Sequence, residues 1–247
     1  MFRKNQIIIA VICSFAFSTA TMAQKAFDQL AVGLETGTYG PGITASTSLL
    51  PNFKLRSGLD FFSFSPSLDF DISPDGYIPN DDAEIETLSG SLFDPKLSFA
   101  NFKLLLDYYP WKNGIFSVSA GFYLGSNSIS MKGKINNYNS DMVFELNDDI
   151  IVKPRTDGTF DAKVKLGGIV KPYFGIGLGR SIANKRIAFK FDLGIIYQGD
   201  FKFESKQVYV SERIQNSLSN SDELSDLPKG VLKLWPLLNF SLTYKIF

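Results

Sequence analysis

The sequence predicts an all-β fold, an eight-stranded antiparallel up-and-down transmembrane β-barrel with three long extracellular loops. Apolar and non-apolar residues alternate along most of the chain, and helical periodicity is nearly absent, which is typical of half-buried strands. The alternating segments are about ten to twelve residues long, which exceeds the usual strand of a soluble protein and fits a tilted strand that crosses a membrane. Short and long connections also alternate, as they do in outer-membrane barrels.

The strands are expected in eight segments of the chain. Their positions are residues 28–38, 42–50, 53–65, 98–109, 114–126, 170–182, 186–198 and 235–247. Three connections between them are tight: Pro51-Asn52, residues 110–113 and residues 183–185. The first connection, around residues 39–41, is also short, whereas residues 66–97, 127–169 and 199–234 form long connections. An even number of strands places both ends of the chain on the side of the tight turns, which in this layout is the periplasmic side.

The segment at 186–198 shows the alternation most clearly. One face carries Ile187, Phe189, Phe191, Leu193, Ile195 and Tyr197, and the other carries Ala188, Lys190, Asp192, Gly194, Ile196 and Gln198. In a lipid-embedded barrel the apolar face points outward, whereas a soluble barrel has the reverse arrangement. The apolar faces of several strands are bulky and almost free of charge, which favours lipid.

The first 23 residues have the layout of a secretory signal peptide. Arg3 and Lys4 precede an apolar run, and small residues follow it up to Ala23. We expect cleavage after Ala23, so that residues 24–247 form one exported barrel domain in the outer membrane. That remainder contains no apolar run close to the roughly twenty residues that a membrane helix needs.

The composition excludes several classes of function. The 25 basic and 25 acidic side chains cancel, so no net field draws the chain to nucleic acid. The chain has no histidine, and its only cysteine, Cys13, would leave with the signal peptide. Histidine-dependent triads, histidine zinc sites, disulfides and thiolate chemistry are thereby excluded from the mature chain, and we expect no enzyme activity, metal or cofactor. A carboxylate-only mechanism stays open in principle, but no spacing singles out a pair of acids.

The chain resembles a known group of membrane proteins. A cleavable signal, eight amphipathic strands and a last strand "LLNFSLTYKIF" that ends in Phe247 are similar to the small outer-membrane barrels of the OmpA transmembrane-domain, OmpX and OmpW type. The stretch "PYFGIGLG" also looks like a strand of uncharacterised outer-membrane β-barrel proteins. The resemblance implies an assembly signal at Phe247 that the barrel-assembly machinery reads, and outer-membrane lipid and lipopolysaccharide as partners. One departure is that Tyr244 and Ile246 are out of phase with Phe247.

Charged residues on the predicted inner face form the candidate site. Arg56, near the start of the third strand, and Asp107, near the end of the fourth, should lie at similar depth on adjacent strands, so we expect an ion pair. Because buried charges must be paired, a network built on this pair would plug the lumen, although mixed charges could instead line a narrow pore. The predicted network consists of Glu35, Lys54, Arg56, Asp60, Lys103, Asp107, Lys190, Asp192 and Lys245.

We also interpret three further stretches of the sequence. Within residues 66–97, the carboxylates of Asp69, Asp71, Asp75, Asp81, Asp82, Glu84, Glu86 and Asp94 could bind calcium or bridge lipopolysaccharide through divalent ions, but a solvated acidic loop is the simpler interpretation. Apolar residues within 127–169 indicate that the fifth and sixth strands project beyond the membrane, with room for an extra hairpin. The "GIGLG" stretch has the wrong spacing for a dinucleotide-binding loop, and we interpret it as the sixth strand, with Gly175, Gly177 and Gly179 facing the lumen.

Three functions are consistent with the sequence. The first is an integral outer-membrane barrel with a structural or surface-interaction role and a plugged lumen. The alternative is a narrow channel or transporter for ions or small apolar molecules. The third is a soluble periplasmic ligand-binding barrel, which would need an apolar lining inside.

Overall fold

β-Strands account for nearly all of the regular structure in the computed structural model, which describes residues 26–73, 75–77, 86–111, 113–138, 143–147, 150–210 and 233–247. The expected signal peptide and its cleavage site after Ala23 lie outside these residues. The described part of the chain contains no helix that is long and apolar enough to span a membrane. The strands are β1 (Leu30–Gly37), β2 (Gly40–Leu50), β3 (Phe53–Phe64), β4 (Phe70–Ile72), β5 (Asp75–Tyr77), β6 (Glu86–Thr87), β7 (Gly90–Tyr108), β8 (Phe116–Ile135), β9 (Val143–Asn147), β10 (Ile150–Val152), β11 (Thr159–Lys165), β12 (Val170–Gly179), β13 (Ile187–Tyr197), β14 (Lys202–Phe203), β15 (Val208–Val210) and β16 (Leu234–Lys245).

Eight long strands close into a ring, called here the eight-strand ring. Its order is β8-β12-β13-β16-β1-β2-β3-β7, its neighbours are antiparallel, and the pairing of β7 with β8 closes it. The first and last of these strands along the chain are neighbours, with Ala31 opposite Lys245 and Gly37 opposite Asn239. A sheet that closes on itself leaves no open edge, so the strands satisfy each other's backbone hydrogen bonds.

The ring turns its apolar face outward and its polar face inward. Along β13, exposed and buried residues alternate without interruption: Phe189 and Leu193 are exposed, whereas Lys190 and Asp192 are buried. The same inside-out pattern holds on β12 and β16. The inner face is therefore polar at the level of Lys190 and Asp192. A soluble ligand-binding barrel would need an apolar lining there.

The connection between β1 and β2 is tight and reaches back into the ring. It consists of Thr38 and Tyr39, and Gly40 follows with a φ of 97°, in the left-handed region that favours glycine. A Cβ atom on Gly40 would lie 2.6 Å from the Cβ of Phe62. The ring of Tyr39 is buried inside the eight-strand ring, close to the end that carries the long connections.

Two ring strands continue beyond the ring and form what we call the projecting unit. The upper parts of β7 (residues 90–96) and β8 (residues 128–135) pair with each other, and β4, β11 and β14 extend this sheet at its sides. A second sheet, in the order β15-β10-β9-β5-β6, completes the unit. The two sheets share an apolar core formed by Leu88, Ile135, Phe144, Val152, Phe160 and Val208.

The ring strands lie where the alternation predicts them, and the differences fall in the projecting unit. β7 begins at Gly90, earlier than the expected residue 98, and a register shift between Phe93 and Lys96 separates its upper part from its ring part. The expected projection of the fifth strand and an extra hairpin correspond to the length of β8 and to the β9–β10 pair. The expected projection of the sixth strand corresponds to β11, which continues along the upper part of β8 after a break between Lys165 and Val170.

Candidate functional site

An ion-paired cluster centred on Arg56 lies in the half of the ring that faces the tight turns. The guanidinium of Arg56 donates to Asp192 Oδ2 at 2.6 Å and to Asp107 Oδ1 at 3.0 Å. Lys190 Nζ lies 2.6 Å from Asp192 Oδ1 and 3.1 Å from Asp107 Oδ1, and Ser119 Oγ donates to Asp107 Oδ1 at 2.6 Å. All four charged side chains are at most 1% exposed, and their two positive and two negative charges balance.

A second cluster, around Lys103, lies next to the first. The Nζ atom of Lys103 is 2.5 Å from Glu35 Oε1 and 3.3 Å from Asp60 Oδ2, and Asn239 Nδ2 donates to Glu35 Oε2 at 3.1 Å. These side chains are also buried. The ammonium group of Lys103 lies 5.7 Å from the centre of the Tyr123 ring, which extends the contacts toward the other end of the ring. We call the seven charged residues of the two clusters the charge network.

The geometry of the ring shows what these contacts do. In the order of the ring, β3 and β13 are four strands apart in either direction, so they lie on opposite walls. The 2.6 Å contact between Arg56 on β3 and Asp192 on β13 therefore crosses the whole lumen. Buried ions lose their hydration and are tolerated only when they are paired and hydrogen-bonded, which holds this crossing in place.

Aromatic side chains also meet across the lumen, nearer the projecting unit. This aromatic layer is the buried cluster of Tyr39, Phe99, Leu105, Tyr123, Leu166, Tyr173, Ile196 and Leu237, against which Trp235 packs. The rings of Phe99 on β7 and Trp235 on β16 are 5.9 Å apart, and these two strands also lie on opposite walls. Tyr39 contacts Phe99 and Tyr123 at centroid distances of 5.5 and 5.6 Å. The sequence predicts small and polar residues in the lumen, so a layer this aromatic is a difference from that expectation.

Two of the nine expected network residues lie apart from the rest. Lys54 donates to Ser48 Oγ at 2.7 Å, and Lys245 ends β16 near the tight turns. Within the described ranges, no ion pair joins either lysine to the charge network. Both lysines lie at strand ends, where the ring opens, and this position separates them from the charge network.

Sequence reasoning also misses one buried lysine. Lys171 is fully buried and donates to Asn101 Oδ1 at 3.1 Å and to the carbonyl of Gly125 at 2.8 Å. Asn101 donates in turn to Asn127 at 2.7 Å, so Lys171 is held by neutral acceptors. Its place on the inner face, two residues before Tyr173, is the signal that could have identified it.

The acidic stretch and Phe247 are the remaining expected sites. In the parts of the chain that the structure describes, no group of three or more acidic residues could hold a metal ion, and Asp81, Asp82 and Glu84 of the acidic stretch lie outside those parts. Phe247 is exposed just beyond β16, and its carbonyl accepts a hydrogen bond from the Leu30 amide at 3.0 Å. Its role as an assembly signal stays a prediction.

The fold and the interior together define a closed antiparallel β-barrel that is apolar outside and carries paired charges inside. Among solved structures, CarO2 of Acinetobacter baumannii is similar to this chain with a TM-score of 0.50 and 16% identity, over 88% of this chain and 98% of that chain. CarO of the same organism has a TM-score of 0.49 and 18% identity, over 87% and 96%. A major outer membrane protein from Thermus thermophilus has a TM-score of 0.38 and 13% identity, over 88% and 99%.

The likeness to CarO2 shows a shared fold. No family model matches the chain, and no curated protein matches it. Membership of the OmpA, OmpX and OmpW group stays a prediction from the sequence.

Proposed function

We propose that this chain is an integral outer-membrane protein in which the eight-strand ring is a transmembrane β-barrel with a closed lumen. Its role is structural support of the membrane or interaction at the cell surface through the projecting unit, without catalysis. The observation that carries the proposal is the contact of Arg56 with Asp192 across the full width of the lumen.

The outer surface supports the membrane part of the proposal. Large apolar side chains are exposed on ring strand after ring strand, for example Leu34, Ile43, Phe174 and Phe240. Exposed apolar surface of this extent is costly in water and favourable in lipid. The expected signal peptide and the shared fold with CarO2 agree with an exported barrel.

Contacts across the lumen at two levels support the proposal that the lumen is closed. The charge network fills the lumen at the level of Arg56, and the aromatic layer fills it again closer to the projecting unit. A permeant ion or solute would have to break buried ion pairs at the first level and separate packed rings at the second. The projecting unit then remains as the part of the molecule that offers a surface to a partner.

Electrical recording in planar bilayers tests this function. The purified barrel, folded as judged by heat-modifiable migration, should show no stable unitary currents. Stable currents in the unaltered protein that change in Arg56→Ala or Asp107→Ala, but not in the outward-facing control Ile195→Ala, would show a conducting lumen. Cell fractionation tests the location: the protein should stay with the outer membrane, and its release with the periplasmic contents would contradict the membrane proposal.

A further inference from the structure

An open groove with a volume of about 980 Å³ lies on the projecting unit. Its walls come from β7, β8 and β11 and from the segment 204–207, together with Ser65 and Arg155. On β11, Phe160 lies in the core between the two sheets, and Asp161 and Lys163 directly oppose Lys132 and Ser130 on the other face of the sheet. The groove therefore opens on the outward side of the sheet, away from the second sheet.

Positive charge is in excess in this groove. Its charged lining residues are the cations Lys96, Lys132, Arg155, Lys163 and Lys206 and the carboxylates Asp94, Asp161 and Glu204. Each carboxylate has a partner: Asp94 pairs with Lys132 at 3.1 Å, Asp161 pairs with Arg155, and Glu204 pairs with Lys165.

Three lysines are left over by this pairing. Within the described residues, Lys96, Lys163 and Lys206 form no ion pair, and we call the site the lysine groove. Because the whole chain has equal numbers of basic and acidic residues, this excess is a local property of the groove.

The height of the groove above the exposed apolar residues of the ring indicates which part of the membrane the groove faces. This step rests on the proposed membrane function. On the outward face of β8, Phe122 and Leu124 are exposed apolar residues, whereas Ser130 and Lys132, on the same face, line the groove. Six to eight tilted strand residues raise the groove about 15–20 Å above Leu124. At that height an outward-facing site lies beside the saccharide headgroups of the outer leaflet rather than beside acyl chains.

We propose that the lysine groove binds the anionic saccharide headgroup of lipopolysaccharide. Lys96, Lys163 and Lys206 supply ammonium groups for phosphates or carboxylates, as lysine does at many phosphate sites. Ser65, Ser130 and Gln207 line the same groove and supply neutral hydrogen-bonding groups for sugar hydroxyls. The barrel is thereby attached to the glycolipid that surrounds it by contacts with the headgroup as well as with the acyl chains.

Titration of the full chain, folded in zwitterionic detergent, with purified deep-rough lipopolysaccharide tests the proposal. The triple variant K96Q/K163Q/K206Q removes the three ammonium groups. The matched control K153Q/K185Q/K202Q removes three exposed lysines outside the groove, with the same change of net charge. We expect the groove variant to bind about tenfold more weakly and the control to bind within about twofold of the unaltered protein. Added salt should weaken binding to the unaltered protein and should affect the groove variant less.

Other outcomes overturn the proposal. Equal loss in both triple variants, or no loss in either, would show that the groove is not the binding site. Binding of inorganic phosphate as tightly as lipopolysaccharide, dependent on the same lysines, would show a site for a free anion instead of a lipid. Heat-modifiable migration and insertion into phosphatidylcholine vesicles are measured on the same samples, so a protein that inserts without binding refutes only the lysine groove, whereas failure to insert refutes the membrane function.

Discussion

At Gly177 one added carbon atom would enter the charge network. A Cβ atom there would lie 2.6 Å from Ser117 Oγ and 2.8 Å from Asp192 Oδ1, which is closer than such contacts allow. The same strand places Gly175 beneath the hydroxyl of Tyr173. The glycines of the "GIGLG" stretch thus leave the space that the buried charges and one aromatic ring occupy.

Gly177→Leu should therefore impair assembly of the barrel. Overpacking a filled interior costs about 1–3 kcal/mol even among apolar neighbours, and here the added side chain would also separate paired charges. The fraction that folds into lipid vesicles, measured by heat-modifiable migration, should fall.

Gly168→Leu is the matched control, because a Cβ atom on Gly168 would approach no other atom more closely than 3.8 Å. Normal folding of the Gly177 variant, or an equal loss in the Gly168 variant, would contradict this account of the glycines.

The contacts of individual residues are only partly predictable from the sequence. The neighbourhood of Arg56 and Asp107 follows from strand order and depth, and the two side chains are indeed bonded. The partner of Arg56 on the opposite wall, Asp192, does not follow, because alternation gives the face of a residue but not the side chain that reaches it across a lumen. The separate positions of Lys54 and Lys245 are missed for the same reason.

At the scale of elements, the projecting unit depends on a core of its own. Phe160 on β11 is 2% exposed, and a Cβ atom on Gly133 of β8 would lie 2.1 Å from its ring. The phenyl group therefore lies directly on the backbone of the neighbouring strand and fills the space between the two sheets.

Phe160→Ala should loosen the projecting unit and leave the ring intact. Removing a buried phenyl group costs about 3–5 kcal/mol, and the loss should stay local because the ring has separate contacts. Hydrogen exchange should show lost protection in β11 and upper β8, with protection unchanged in β13 and β16. The outward-facing control Phe174→Ala should change neither, and a loss of protection throughout the ring would contradict a separate core.

The upper part of β7 shows why strand ends are harder to predict than strands. Asp94 and Pro95 interrupt the alternation, and Asp94 has a φ of 53°, so the sequence pattern stops there. The strand nevertheless resumes its pairing with β8 beyond the register shift. A break in periodicity marks a bulge as readily as a strand end.

At the scale of the whole molecule, the membrane proposal predicts that outward substitutions depend on depth. Leu193 lies near the middle of the outward face of β13, and Ile187 lies at its end. Leu193→Arg should destabilise the barrel by about 2–4 kcal/mol in lipid, and Ile187→Arg by about 0–1 kcal/mol, because the cost of a charge is greatest at the midplane of the bilayer. Urea unfolding in vesicles measures the difference, and equal costs at both positions would contradict a ring that spans the membrane.

The number, order and facing of the ring strands are predictable because one rule, alternation between lipid and lumen, acts on every strand. The charge network and the lysine groove are less predictable, since they depend on contacts between strands that are far apart in the sequence. The aromatic layer depends further on Tyr39, whose tight turn gives no sign in the sequence that it enters the lumen.

The pairing of β1 with β16 sets a limit on when folding can finish. Both open edges of the unfinished sheet, on β1 and on β13, pair with β16, which follows the other ring strands along the chain. A chain in which β16 has not yet paired therefore has no complete ring, and its two strand edges remain open to other chains. The ring can therefore close only when the segment Leu234–Lys245 is available, whatever the order in which the other strands pair.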